Sequence, residues 1–573
     1  MSFHPLYPLE MKKNKSKSPD SEEQPRNLAY MGRSRLLWQL LAALASGILL
    51  AMAFPPASCS YLAWIALIPM LALPMPRERL RRLLCGIAFG YSHFAIMLHW
   101  LNEVGFGAGW LMAIYCAIYP ALWYFIAGSI FKRITPADIA APDTGLLHIS
   151  HLKRGCFCGL ALAAMWTALE WVRSWLFTGF PWGFAGISQS RHYSILRLAS
   201  YTGAYGISFM IILCNCTFAI ELCRAIHVFK TGGKLCRPLH YIAMGICTCL
   251  ALLPMFERIP DVPEEAPMLR IAAIQGNIPQ CREWTQETFD HALDTYTSLT
   301  RKAASEYKEL DLVLWPECAV PTSIDYQPYK AALISLQQDT GIPLLLGALQ
   351  NRLPPNTSDL EQVRSFNSVF LLDEKAHPRA CYDKMHRVPF GEYVPFGEYM
   401  PWLRRMLDMG RDLMPGKVAL LFRLPKGARA GVNICFEDAF PGISRTFTRG
   451  GANILMTVTN DCWYNQSCGA EQHASHVIFR AVENRRPFMR SGNNSHTMMV
   501  TPAGQVMGQL VGKDSDFTQG YAAYEIPVFD GWGETFYTRH GDIFAHACAI
   551  ASMAMLLAML AASFLRHKAI KGS

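Results

Sequence analysis

The sequence predicts a membrane helical bundle that carries one large water-soluble α/β domain. Three observations support this. Apolar residues fill 51% of the 573 positions and charged ones only 17%, a balance richer in hydrocarbon than soluble domains show. The excess is concentrated in residues 36–256 and 542–565, while 257–541 has ordinary globular composition. Within that stretch, short β-rich runs alternate with helix-like segments, the pattern of a layered α/β domain.

A spanning helix needs roughly 20 apolar residues. Spans are expected near 36–54, 60–75, 83–101, 108–131, 156–178, 202–222, 240–256 and 542–565, the second and seventh being short. Loop charges test that count. Basic residues crowd the N-terminal tail (Lys12, Lys13, Lys15, Lys17, Arg26, Arg33, Arg35) and the loop after span two (Arg77, Arg79, Arg81, Arg82). They recur after span four (Lys132, Arg133, Lys153, Arg154), after span six (Arg224, Lys230, Lys234, Arg237) and in the terminal "RHKAIKGS". The loops "PPASCS" and "NEVGFGAG", after spans one and three, have neither Lys nor Arg, and only Arg191 and Arg197 break the alternation. By the positive-inside rule both termini are expected to be cytoplasmic and 257–541 to lie outside. A net charge of +9 therefore reflects membrane orientation, and no basic stripe interleaved with aromatics points to nucleic acid.

The expected organisation is a polar tail (1–35), seven transmembrane helices (36–256), a linker "IPDVPEEAP" within 257–267, a water-soluble α/β domain (268–541), a last transmembrane helix (542–565) and a tail (566–573). The first 35 residues lack a signal-peptide cleavage pattern, so the first apolar run is expected to be retained, and Met31 is an alternative start. Strands are read at "LRIAAIQGN", "LDLVLWPE", "IPLLLGALQ", "FNSVFLLD", "AGVNICFE", "ANILMTVTN" and "HTMMVTPAG", with helices near 285–308, 328–339 and 470–486. Polar chemistry stands at the ends of three strands: Glu317, then Cys435 with Glu437, then Asn460 with Asp461. Functional residues collect at such strand ends.

Of 18 cysteines, most lie in apolar runs as small buried fillers, and no spacing suits a metal. Cys435 differs in standing where a strand gives way to a turn; a thiol near a helix start can have a lowered pKa and act as nucleophile. Glu317 in "WPECAVP" sits on a proline-stiffened strand exit beside Trp315, an apolar wall suited to a general base. Lys384 precedes the turn-rich "VPFGEYVPFGEY" duplication, where a fixed cation can face a developing oxyanion.

Glu, Lys and Cys, each near a strand end, form a combination that resembles the nitrilase superfamily. The chain looks still more like one branch of it, the apolipoprotein N-acyltransferases. The likeness is carried by "AFPP", "EWVRSWLFTGFPWG", "QGNIPQ", "WPE", "VPFGEYVP", "ICFE", "NDCWY" and "QHASHVIFRAVENRRP", from about residue 36 to 565. It implies an αββα sandwich inserted in a bundle of about eight transmembrane helices. It further implies Glu317 as general base, Lys384 as oxyanion-stabilising cation and Cys435 as nucleophile, with Trp284, Glu392, Glu437 and Phe436 organising the pocket. Two positions depart from the family pattern: Phe436 replaces the usual tyrosine after the nucleophile, and Arg387 the usual leucine before "VPFGE".

The reaction so implied moves an acyl chain from a membrane phospholipid to the cysteine, then to the α-amino group of a diacylglyceryl-modified apolipoprotein. No cofactor or metal is expected. The protein is expected to be a monomer in the bacterial inner membrane with a periplasmic catalytic domain. Two alternatives remain at this level: a membrane-tethered amidase with the same triad, and a non-enzymatic assembly protein with a residual one. The aromatic segment 175–184 reads either as an interfacial belt or as an acyl-chain gate. Glu170 and Arg173, three apart on a helix, are expected to pair. His473 and Arg480 are expected to stabilise the domain.

Overall fold

In the computed structural model the described residues are 23–131, 149–231, 245, 248–249, 252–279, 285–320, 322–354, 358–406, 410–510 and 517–571. The N-terminal part is helical: α1 (Glu23–Ala51), α2 (Arg79–Met97), α3 (Ala108–Phe131), α4 (Ile149–Arg173) and α5 (Ala204–Thr231). Small residues let α2 and α3 meet closely. A Cβ on Gly86 would lie 2.8 Å from the Ala121 Cα, and one on Gly90 would lie 2.6 Å from Pro120. Such contacts replace the hydrophobic effect as glue between helices in lipid.

Among the described residues three helices are long and apolar enough to cross a membrane: Ala108–Ile130, Ala204–Cys223 and Ile543–Leu565. The expected second span, 60–75, is not one helix. It breaks into a 3₁₀ turn, Ser60–Trp64, and a five-residue helix, Ile68–Ala72, because Pro69 can only begin a new helix. Most of the expected seventh span and the first 22 residues lie outside the described residues.

The second part holds two six-stranded sheets. The first has β1 (Met268–Gln275), β2 (Leu312–Leu314), β3 (Leu344–Arg352), β4 (Arg364–Leu372), β5 (Pro378–Asp383) and β12 (Gly520–Pro527), in the order β12-β1-β2-β3-β4-β5. The second has β6 (Leu421–Arg423), β7 (Arg429–Ile434), β8 (Ile454–Thr459), β9 (Phe488–Gly492), β10 (Met498–Val500) and β11 (Val506–Gln509), in the order β11-β10-β9-β8-β7-β6. In each, three parallel strands are flanked by antiparallel ones. Helices α6 (Gln286–Glu306) and α7 (Gln327–Thr340) cover the outer face of the first sheet. Helices α8 (Pro441–Arg449) and α9 (Gly469–Asn484) cover the second, and α10 (Ile543–Lys571) returns to pack on α4. The result is a four-layer αββα sandwich.

Strand periodicity divides the core. On β1, Leu269, Ile271 and Ala273 join the inner layer, while Ala272 and Ile274 join Phe289, Leu293 and Tyr296 of α6. The α6 start is fixed by Thr285 and Thr288, which cap each other's backbone N–H. The inner core does not stop at the sandwich. It continues through Phe436 and Trp182 to Phe89, Trp166 and Tyr205 of the helical part, so the sandwich and the bundle share one apolar interior.

The expected strands and helices of this domain are all present, but β5, β6, β9, β11 and β12 were not expected from the sequence. Glu170 and Arg173 do not bond to each other. The Glu170 carboxylate accepts from Trp166 Nε1 and the Ala185 N–H, both at 2.8 Å, while Arg173 donates to the carbonyls of Phe180 and Trp182. Arg173 therefore secures the 175–184 segment and Glu170 the residue that follows it, Ala185.

Candidate active site

Three strand ends bring Glu317, Lys384 and Cys435 together. Glu317 follows β2, and its backbone presses against β3: a Cβ on Gly347 would lie 2.6 Å from the Glu317 Cα. We predict that Gly347→Ala displaces Glu317 and lowers kcat about 100-fold, the order of loss a 1 Å misplacement brings, with the unfolding transition retained. Unchanged kcat in that variant would show that Glu317 need not be held where it is.

Lys384 stands just past β5 and is 2% exposed. Its Nζ donates to Glu317 Oε1 at 3.3 Å and to Glu392 Oε1 at 2.9 Å. Asn367 on β4 donates to the same two oxygens at 2.7 and 2.9 Å, and the Asn460 N–H donates to Glu317 Oε2 at 3.0 Å. Burial works against the ammonium, but Glu392 and Glu317 outweigh it and hold the Lys384 pKa well above the ordinary lysine value. Burial likewise opposes ionisation of Glu392, yet Lys384, Asn367 and the Val388 N–H keep its carboxyl below the usual range. Trp315 does not form the expected apolar wall. It points the other way, into the outer layer beside Tyr296, with its Nε1 donating to Thr300 at 2.9 Å.

Cys435 opens a 3₁₀ turn, Cys435–Ala439, directly after β7, with φ at +52°. A non-glycine residue in that left-handed region is held there by its surroundings. The thiol is buried, and its pKa is pushed well above the ordinary value by burial and by the Glu317 charge, with Lys384 pulling the other way. The expected lowered pKa is thus corrected. In the resting protein the sulfur keeps its proton and needs a base to take it. The same charges show that Cys435, Glu317 and Lys384 lie within electrostatic reach of one another.

Glu437 ties the Cys435 turn to the loop after Lys384. It accepts from the backbone N–H groups of Met385 (2.7 Å), His386 (3.0 Å) and Ile434 (2.8 Å), and Tyr382 Oη donates to it at 3.0 Å. Burial raises its carboxyl to about 7 against those donors. Phe436 has no hydroxyl and is held by ring contacts. Its ring stacks on Trp182 at 6.1 Å and meets Phe440 edge-on at 5.1 Å. Arg387 lies over Tyr393 at 4.1 Å and donates to the Leu413 carbonyl. Trp284 lies outside the described residues.

Sequence reading missed the way the helical part forms a wall of the site. The 175–184 segment divides: Trp175 and Phe177 are exposed, whereas Trp182 is buried against Phe436 and Trp100. Gln472 on α9 fixes that wall. It accepts from Trp100 Nε1 (3.0 Å) and Trp182 Nε1 (2.8 Å) and donates to the carbonyls of Pro55 and Met97. The duplicated turn behaves differently. Glu392 faces inward, while Phe390, Phe396, Tyr399 and Trp402 stand exposed. Among the described residues, Cys318, Cys381, Cys435, Cys462 and Cys468 of this domain are free thiols.

Residues 46–217 match the apolipoprotein N-acyltransferase N-terminal domain, and residues 270–526 match carbon–nitrogen hydrolase. Among curated proteins, an apolipoprotein N-acyltransferase of Geobacter metallireducens is 31% identical over 92% of this chain and 96% of its own. One of Gloeobacter violaceus is 28% identical over 92% and 95%. An amidase of Nesterenkonia from the nitrilase superfamily, 18% identical, aligns with 50% of this chain and 99% of its own at a TM-score of 0.36.

Proposed function

The chain belongs to the apolipoprotein N-acyltransferase family, and from that premise we propose a two-step acyl transfer through Cys435. Glu317 takes the thiol proton as Cys435 attacks the ester of a membrane phospholipid. Lys384 and backbone N–H groups at the nucleophile turn hold the oxyanion. Lysophospholipid leaves, with Glu317 returning the proton. The α-amino group of a diacylglyceryl-cysteine lipoprotein then attacks the thioester, giving an amide and free Cys435. A thioester is more reactive toward an amine than the starting ester, so the second step runs downhill. Glu392 and Glu437 position Lys384 and the turn, and the protein works as a monomer without a cofactor.

The observation that carries this reading is the wall shared with the helical part. A nucleophile turn roofed by Trp182, with exposed aromatics on the 390–402 turn, suits substrates whose chains lie in lipid. A tethered amidase would have no use for it. Double-reciprocal plots at several phospholipid concentrations should be parallel, as ping-pong transfer requires. Intersecting lines, or turnover of small amides independent of lipid, would favour the alternative.

The location we propose is the inner membrane, with about eight spans and 257–541 as a periplasmic catalytic unit. Cysteine-accessibility labelling of intact cells should reach a cysteine placed at Glu264 and not one placed at Glu78. Labelling in the reverse pattern would invert the topology.

A further inference from the structure

His473 on α9 is fully buried beneath the nucleophile turn, and its two ring nitrogens face acceptors only. Nδ1 meets Asp461 Oδ1 at 2.9 Å; Nε2 meets the Cys435 carbonyl at 3.3 Å and Asp438 Oδ1 at 3.0 Å. Asp461 also accepts from Thr459 Oγ1 at 2.8 Å and from Arg490, which keeps it ionised. A carbonyl cannot donate, and an ionised carboxylate so engaged cannot either. Nδ1 therefore donates to Asp461 and Nε2 to the Cys435 carbonyl, so both nitrogens carry hydrogen and the ring is an imidazolium. Burial alone would lower the His473 pKa, but Asp438 and Asp461 raise it to about 10. The Trp182 ring lies at 5.5 Å and the Tyr464 ring at 6.3 Å, and His476 and His496 lie within electrostatic reach of the imidazolium.

The bond to the Cys435 carbonyl has a chemical consequence. That carbonyl and the Phe436 N–H belong to one peptide unit. Phe436 is the second residue of the turn, where an N–H has no partner within the helix. Hydrogen bonds along a chain polarise one another. We infer that His473 is a positioning residue for acyl transfer, a permanent cation that holds the Cys435 turn and strengthens the Phe436 N–H as an oxyanion donor. This rests on Cys435 being the nucleophile.

The test uses the full-length protein in detergent. His473→Gln should lower the rate of acyl transfer to Cys435 about 10- to 100-fold, a tenth of the loss of a whole oxyanion donor or more. The donor KM should change less than about threefold, because the ground-state ester is held by other groups. Alkylation of Cys435 by iodoacetamide, a displacement that develops no oxyanion, should also change less than about threefold. Parallel loss of acylation and alkylation would mean that His473 only supports the fold and would overturn the inference. Removing a buried cation leaves Asp438 unbalanced, so His473→Gln with Asp438→Asn is the second variant. It should restore thermal stability without restoring acylation, and full recovery of acylation would overturn the inference. Nitrogen-15 NMR of the unaltered protein gives an independent reading. One histidine should keep both ring nitrogens protonated from pH 6 to 8; its absence would overturn the imidazolium. Turnover that survives complete alkylation of Cys435 would instead sink the nucleophile assignment, a result distinct from the others.

Discussion

Cys435→Ala should abolish turnover while the protein unfolds at the temperature of the unaltered chain. Loss of a nucleophile commonly costs on the order of 10⁴- to 10⁶-fold. The fold should tolerate the change because the thiol fills little volume in the turn, whose conformation is fixed from outside by Glu437 and His473. Cys435→Ser should be nearly as inactive, since a hydroxyl needs far stronger base activation than a thiol. The neighbouring cysteines should behave otherwise. Cys462 donates to the Ile278 carbonyl and accepts from Asn493, both at 3.0 Å, and serine can do the same. Cys318 turns its thiol toward Asn367 Oδ1 at 3.8 Å, and a serine keeps that donor. Phospholipid-dependent acyl transfer by Cys435→Ala at more than about a hundredth of the normal rate would remove Cys435 from the mechanism.

The second large effect concerns Lys384 and Glu317. Lys384→Ala should abolish transfer and also destabilise the fold by about 3 kcal/mol, because Glu317 and Glu392 would be left buried without their cation. Adding Glu392→Gln to that variant should recover much of the stability and none of the activity. This separates the structural part of the lysine from its catalytic part. Glu317→Gln keeps the shape and one acceptor but cannot take a proton, and should lower kcat by about 10²- to 10⁴-fold. Thermal unfolding and transfer assays on the three variants check both halves. Restored transfer in the Lys384→Ala, Glu392→Gln pair would show that the cation serves only the fold.

Much of this arrangement was legible in the residues because strand ends announce themselves. "LVLWPE" and "GVNIC" pair a β-rich run with a stop and a reactive side chain, and the structure places both where that pattern predicts. Lys384 was harder to place. Its strand, β5, reads "PRACYD", and only pairing with β4 makes it a strand. Strand β12 likewise depends on antiparallel pairing with β1, far away in the chain. Local pattern cannot report a partner so distant. The wall formed by Trp182 and the role of His473 were hidden for the same reason. His473 sits on a helix whose buried face would accept any satisfied histidine, and it gains meaning only when Asp438, Asp461 and the Cys435 carbonyl converge on it. Span two was read from its apolar composition, although Pro69 within it marks where a separate short helix begins.

The most direct test of the account is to look for the intermediate. The purified protein is incubated with phospholipid alone and its peptides are analysed by mass spectrometry. One acyl group is expected on Cys435, released by hydroxylamine and lost when a diacylglyceryl lipopeptide with a free amino terminus is added, with the acyl group recovered on that amine. Transfer to the lipopeptide without any acyl group on Cys435 at any time would contradict the account.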